Sequence, residues 1–202
     1  LATSCLAAPP PALPILGPGD KAETWKSRAN VTLAAEAGSG LCAAADFSTA
    51  GYGWFRKVAV EPWDLRPYGG LRLRVRGGGP GFRVQVVLMS SPTEKPGTVF
   101  NAEPWMQDSG EAWKEVLLPW SAFAAQGSGA ALPPAELGHV TTVNVSLIKG
   151  DNKEARIWVS ELSACALPPE AWAAASATPG SRSRVADGSA FLALLDLDRH
   201  PG

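Results

Sequence analysis

The chain has 202 residues, 46% of them hydrophobic, with 18 basic and 19 acidic side chains. That length accommodates one cored domain with tails, and the near-zero net charge argues against bulk attraction to nucleic acid or a membrane surface. No apolar run approaches the roughly 18 residues of a membrane span.

The opening LATSC has no basic segment leading into an apolar core, so an intact signal peptide is not expected in it. Residues 6–20, LAAPPPALPILGPGD, are too rich in proline for a helix or a central strand and read as an irregular arm. From about Trp25 to Cys165, short runs with period-two alternation are separated by Gly, Pro, Asn, Asp and Ser. The runs cover 30–37, 40–47, 54–60, 71–76, 82–89, 98–103, 113–119, 140–148 and 155–164. This pattern predicts an all-β, two-sheet antiparallel sandwich. Residues 166–190 are rich in Ala, Pro and Ser and read as a linker. The following 191–202, FLALLDLDRHPG, reads either as the start of another domain or as a terminal helix docked on the sandwich.

Catalytic signatures are missing. There is no GxSxG, HExxH, P-loop or GxGxxG, and the only histidines are His139 and His200. Glu111 with Glu115 and Asp151 with Glu154 are not marked as acid/base couples. These residues are therefore read as non-catalytic. Cys5, Cys42 and Cys165 form no CxxC and stand far from either histidine, which argues against zinc. They fit one disulfide plus a buried thiol outside the cell, or three reduced thiols inside it. Asn30 and Asn144 each begin a glycosylation sequon, the second in mid-strand.

Four segments share a pattern. WDLRPYGGLRLRVRG (63–77), EAWKEVLLPWSAF (111–123), ELGHVTTVNVSLIKG (136–150) and ARIWVSELSA (155–164) occur in the order and spacing of galactose-binding-like jelly rolls, which they resemble. Two families carry that pattern: jelly-roll carbohydrate-binding modules and the complex-I intermediate-associated family. FLALLDLDRHPG is in turn similar to the opening of the α/α-barrel domain of heparinase II/III-like polysaccharide lyases. The resemblance implies a jelly-roll domain over 25–165, preceded by a Pro-rich arm over 1–24. Its implied function is a non-catalytic polysaccharide-binding module, monomeric and secreted or periplasmic. It would be appended N-terminally to a polysaccharide-degrading enzyme, such as a lyase acting on uronate-containing glycans. A protein-interaction domain of the complex-I intermediate-associated type is the alternative, and a structural spacer a further one.

Sugar recognition needs aromatic faces for pyranose rings and planar polar groups for hydroxyls. Of the eight tryptophans, Trp25, Trp63, Trp113 and Trp120 fall where the resembled families place core or rim aromatics and are expected to pack. Trp54, Phe100 and Trp105 are the aromatic ligand candidates, with Asn101 beside Phe100. Alternation turns Arg72, Arg74 and Arg76 outward. In the resembled fold their strand lies in the convex sheet, which makes them a solvated back face paired with acids. The next strand lies in the concave sheet. That puts Arg83 and Gln85 on the ligand side with Asn144 and Ser146, and Lys149 at the rim. Arg83 would suit a uronate carboxylate, so an acidic glycan is expected. Such folds often hold a structural calcium near the chain's entry, and Asp20, Glu23 and Glu161 could contribute oxygens. No other cofactor is expected. First and last strands of these jelly rolls lie side by side, which implies a Cys5–Cys165 disulfide, with Cys42 a packed free thiol.

Overall fold

The structure, a computed structural model, describes residues 10–17, 19–36, 38–77, 82–91, 97–102 and 112–167. Cys5, Trp105 and the segment 168–202 lie outside these. Twelve strands run in chain order: β1 (Leu13–Leu16), β2 (Lys26–Ser27), β3 (Val31–Glu36), β4 (Gly40–Asp46), β5 (Tyr52–Trp63), β6 (Gly70–Gly77), β7 (Phe82–Met89), β8 (Val99–Ala102), β9 (Lys114–Pro119), β10 (Ala124–Ala125), β11 (Val140–Lys149) and β12 (Glu154–Cys165). All the pairings are antiparallel. One sheet has the order β3-β4-β12-β6-β9, with β1 also on β12. The other has the order β10-β8-β7-β11-β5-β2. The domain is a jelly-roll β-sandwich, and among the described residues there is no α-helix, only short 3-10 turns.

Alternation explains the layers. Leu71, Leu73 and Val75 on β6, Val84, Val86 and Leu88 on β7, and Val143, Val145 and Leu147 on β11 all enter one core. Ile157, Val159, Leu162 and Ala164 do so from β12. Burying side chains of this kind stabilises the fold by about 1.5–3 kcal/mol each. Phe55 lies at the centre against Trp25, with ring centroids 5.7 Å apart. Trp63 and Trp120 pack on the margin of this core.

The arm is only partly irregular. Leu13–Leu16 pairs with the end of β12, Leu13 opposite Ala164, and buries Ile15 and Leu16. It takes up the edge of β12 beyond the stretch paired with β4. Pro14 is tolerated because this short strand has one neighbour and needs no second row of donors. At the β3–β4 hairpin Gly40 has φ +77°, and a Cβ there would collide with the Val159 carbonyl. Only glycine fits that close approach.

Cys165 ends β12 opposite Gly70, with the outward phase of Ser163, and is a buried free thiol. The expected Cys5–Cys165 bridge is therefore not seen at Cys165, whose sulfur is enclosed on the sheet surface in the neighbourhood of Arg72 and Glu161. Cys42 is likewise buried and free. Burial pushes both thiols up from their ordinary value of 9.0, and Glu36 adds to this at Cys42. Peptides containing Cys42 and Cys165 are expected to escape iodoacetamide at pH 8 in the native protein and to be labelled in urea, as read by mass spectrometry. The raised values favour the fold while the thiols stay neutral. That contribution is intact below the unfolded value near 9 and is lost as pH rises through the folded ones.

Candidate functional site

The outer face of the β10-β8-β7-β11-β5-β2 sheet collects polar and aromatic side chains in register. Asn101, Val87, Asn144, Arg56 and Lys26 form one row across five strands. Gln85, Ser146 and Trp54 form the next. Arg83, Ile148 and Tyr52 form a third. Strict alternation on β5, β7 and β11 makes this unavoidable, because their other face is committed to the core.

The floor of this face is a narrow cleft of about 30 Å³ lined by Trp54, Gln85, Asn101, Gln126, Asn144 and Ser146, with Val87, Met89 and Val99 alongside. Gln85 is 5% exposed and Ser146 2% exposed, although both point away from the core. Asn144 Nδ2 donates to Ser146 Oγ at 3.3 Å. Asn144 Oδ1 and Gln126 Nε2 are buried and have no partner among the described residues. Polar atoms held out of water without partners are costly unless something else satisfies them. Above this floor the Arg56 guanidinium stacks on Trp54 at 4.4 Å, and that of Arg28 on Tyr52 at 4.1 Å.

Six of the residues singled out from sequence thus share one face: Trp54, Arg83, Gln85, Asn101, Asn144 and Ser146. Phe100 does not. It is 2% exposed, opposite Leu88 and Ala125, and belongs to the core. Lys149 has the phase of Leu147, and its ammonium donates to the Phe47 carbonyl at 3.3 Å, away from this face. Trp105 lies outside the described residues. Tyr52, Arg56, Arg28 and Gln126 were missed. Alternation through YGWFRKV would have given Tyr52 and Arg56, whereas Arg28 and Gln126 lie outside any long run.

Arg72, Arg74 and Arg76 lie on the outer face of the opposite sheet, and they are occupied there. Arg72 binds Glu161 through Nε at 3.1 Å and Nη2 at 2.5 Å. Arg74 faces Glu115 across the strand pair and the Trp113 ring at 5.5 Å. Arg76 stands near Trp158 at 4.6 Å and Trp113 at 5.2 Å, within 3.9 Å of Glu36. Trp113, expected to pack in the core or at its rim, is half-buried and packs on the outer face of this sheet, covering the arginine row. The proposed calcium donors do not converge. Asp20 accepts from the Gly17 amide and from Lys57, Glu23 lies in an exposed turn, and Glu161 is taken by Arg72. Among the described residues, no three carboxylate, His or Cys side chains are placed to share a metal ion. The Asn30 sequon amide is also committed, donating to the carbonyls of Asp46 and Tyr52 at 2.9 and 3.1 Å.

The fold matches solved structures at low identity. The agarase AgWH50C superposes with a TM-score of 0.57 at 12% identity, covering 78% of this chain and 25% of the agarase. The family 11 carbohydrate-binding module of the cellulosomal cellulase Lic26A-Cel5E of Clostridium thermocellum gives 0.55 at 13% identity, covering 78% of this chain and 95% of the module. The Clostridium thermocellum family 11 module in complex with a β-1,3-1,4-mixed-linked tetrasaccharide gives 0.55 at 14%, covering 77% and 96%. The chain thus spans a quarter of the agarase and nearly all of the isolated modules. At these identities the likeness is one of fold. No curated protein matches the sequence. The family model for complex I intermediate-associated protein 30 (CIA30) matches residues 24–159, most of the described sandwich, and the chain belongs to that family.

Proposed function

We propose that this domain is a non-catalytic polysaccharide-binding module whose ligand lies on the outer face of the β10-β8-β7-β11-β5-β2 sheet. One observation carries the reading: a floor of buried Gln85 and Ser146 with half-buried Asn144 beside Trp54, on a face the core does not use. Amides satisfy sugar hydroxyls as both donors and acceptors, and an indole face suits the apolar side of a pyranose. The fold-level likeness to a module solved with a mixed-linked tetrasaccharide supports the same choice. On this reading the domain acts outside the cytoplasm as a monomer, attached to a polysaccharide-degrading enzyme. Arg83, exposed at the start of β7, would engage a uronate carboxylate.

A protein-binding role, as the family name suggests, draws on a different feature. Between Val58 and Val140's partner Trp63, β5 bulges away from β11, leaving Val60 fully exposed and Val58 42% exposed. Affinity electrophoresis against neutral and acidic polysaccharides separates the readings. Retardation by one glycan class is expected, and it should be lost in Gln85→Ala/Asn144→Ala. Migration unaffected by every glycan would turn the assignment to the protein partner.

A further inference from the structure

We infer that the bound polysaccharide runs off the sheet into a second subsite around Arg28, Arg56 and Arg156, built for an oxyanion, so that the ligand is an anionic polymer. The inference rests on the function proposed above and adds a site to it. A depression of about 1030 Å³ lies at the sandwich edge, where the turn between β2 and β3 meets β4, β5 and the start of β12. It shares Trp54 and Arg56 with the narrow cleft, so the two are contiguous. The cleft accepts little more than a substituent, whereas the depression is large enough for whole sugar residues.

Three guanidinium groups line it. Arg28 is fixed by its turn: its amide donates to the Trp54 carbonyl at 3.0 Å, and its carbonyl accepts from Val31 at 2.9 Å. Its side chain is stacked on Tyr52, and Nη1 is buried without a partner among the described residues. Arg56 is stacked on Trp54 in the same way. Stacking on Tyr52 holds the Arg28 guanidinium plane and leaves Nη1 to meet an oxygen of a carboxylate or sulfate. Arg156 reaches the depression from β12, is exposed, and forms no ion pair with a described residue. Both Asn30 amide protons are spent on backbone carbonyls, so its buried Oδ1, also without a partner, is an acceptor for a sugar hydroxyl. Two acids share the depression. Asp46, which caps the Ser48 amide at 2.8 Å, and Glu154 face each other across β4 and β12. The three cations outnumber them.

The test is titration calorimetry of the whole chain with di- and hexasaccharides of galacturonate and of κ-carrageenan, and a neutral mixed-linkage glucan hexasaccharide. The galacturonate hexasaccharide is expected to bind about tenfold or more tightly than the disaccharide, as one added charge-assisted contact requires. Arg28→Ala/Arg156→Ala should erase that gain, and Arg156→Ala alone should reduce it while leaving disaccharide affinity unchanged. The same pattern with carrageenan alone would support the subsite and assign it to sulfate. A preference for the neutral glucan, or a length gain that survives in the double variant, overturns the subsite and leaves the proposed function standing. A wild-type chain that binds none of these glycans overturns both. Should the double variant fail to fold, Arg156→Ala alone removes an exposed side chain, and hexasaccharide affinity unchanged in it would overturn the subsite.

Discussion

Phe100→Ala is expected to lower unfolding free energy by about 3–5 kcal/mol, the range for a buried phenylalanine. The ring is 2% exposed and packs in the middle of the core, opposite Leu88 on one neighbour and Ala125 on the other. Alanine would leave a cavity that β8, held between β7 and β10, cannot collapse to fill. Urea titration followed by tryptophan fluorescence measures the loss. Glycan affinity of the fraction still folded should stay at the wild-type level. A loss below about 1 kcal/mol together with abolished binding would return Phe100 to the ligand surface.

Trp54→Ala is expected to reverse that pattern, weakening glycan binding by about thirtyfold, or ~2 kcal/mol, the scale of an interface aromatic anchor. Its ring is half-buried and lines both the cleft and the edge depression. Removing it also frees Arg56 from the stack that orients it. Stability should fall by less than in Phe100→Ala, because Trp54 is outside the core cluster. Arg74→Ala on the opposite sheet is the control. That side chain stands over Trp113 and lines no part of the cleft, so calorimetry should show unchanged affinity. If Arg74→Ala abolishes binding and Trp54→Ala does not, the ligand lies on the other sheet.

Legibility followed the length of the alternating runs. Eight residues of FRVQVVLM and ten of VTTVNVSLIK leave one phase only, and Gln85, Asn144 and Ser146 come out on the correct side of it. β8 is four residues with apolar groups on both faces, since Val99 and Phe100 are each buried, so its phase could not be read and Phe100 was misplaced. Trp113 is a different case. Its alternation with Glu115 and Leu117 points outward, opposite Arg74 and Arg72, but family resemblance suggested packing. Lys149 likewise had its phase written in VSLIK. The Arg28–Asn30 turn has no periodicity at all, and its position beside Tyr52 and Trp54 comes from two sheets meeting, which no local pattern encodes. The calcium candidates are dispersed for the complementary reason: Asp20, Glu23 and Glu161 are oxygen-bearing, but Asp20 and Glu161 already have cationic partners.

The pairing of β1 with the end of β12 has a mechanical consequence. Leu13 lies opposite Ala164, so the polypeptide preceding β1 and that following β12 leave from the same corner of the sandwich. Tension applied through those two segments pulls the strands apart sideways. The hydrogen bonds of Leu13, Pro14 and Leu16 with β12 are then loaded one after another, rather than together in shear. Peeling would detach β1 at low force, uncovering Ile15 and Leu16, while the β4-β12-β6 centre of the sheet remains intact.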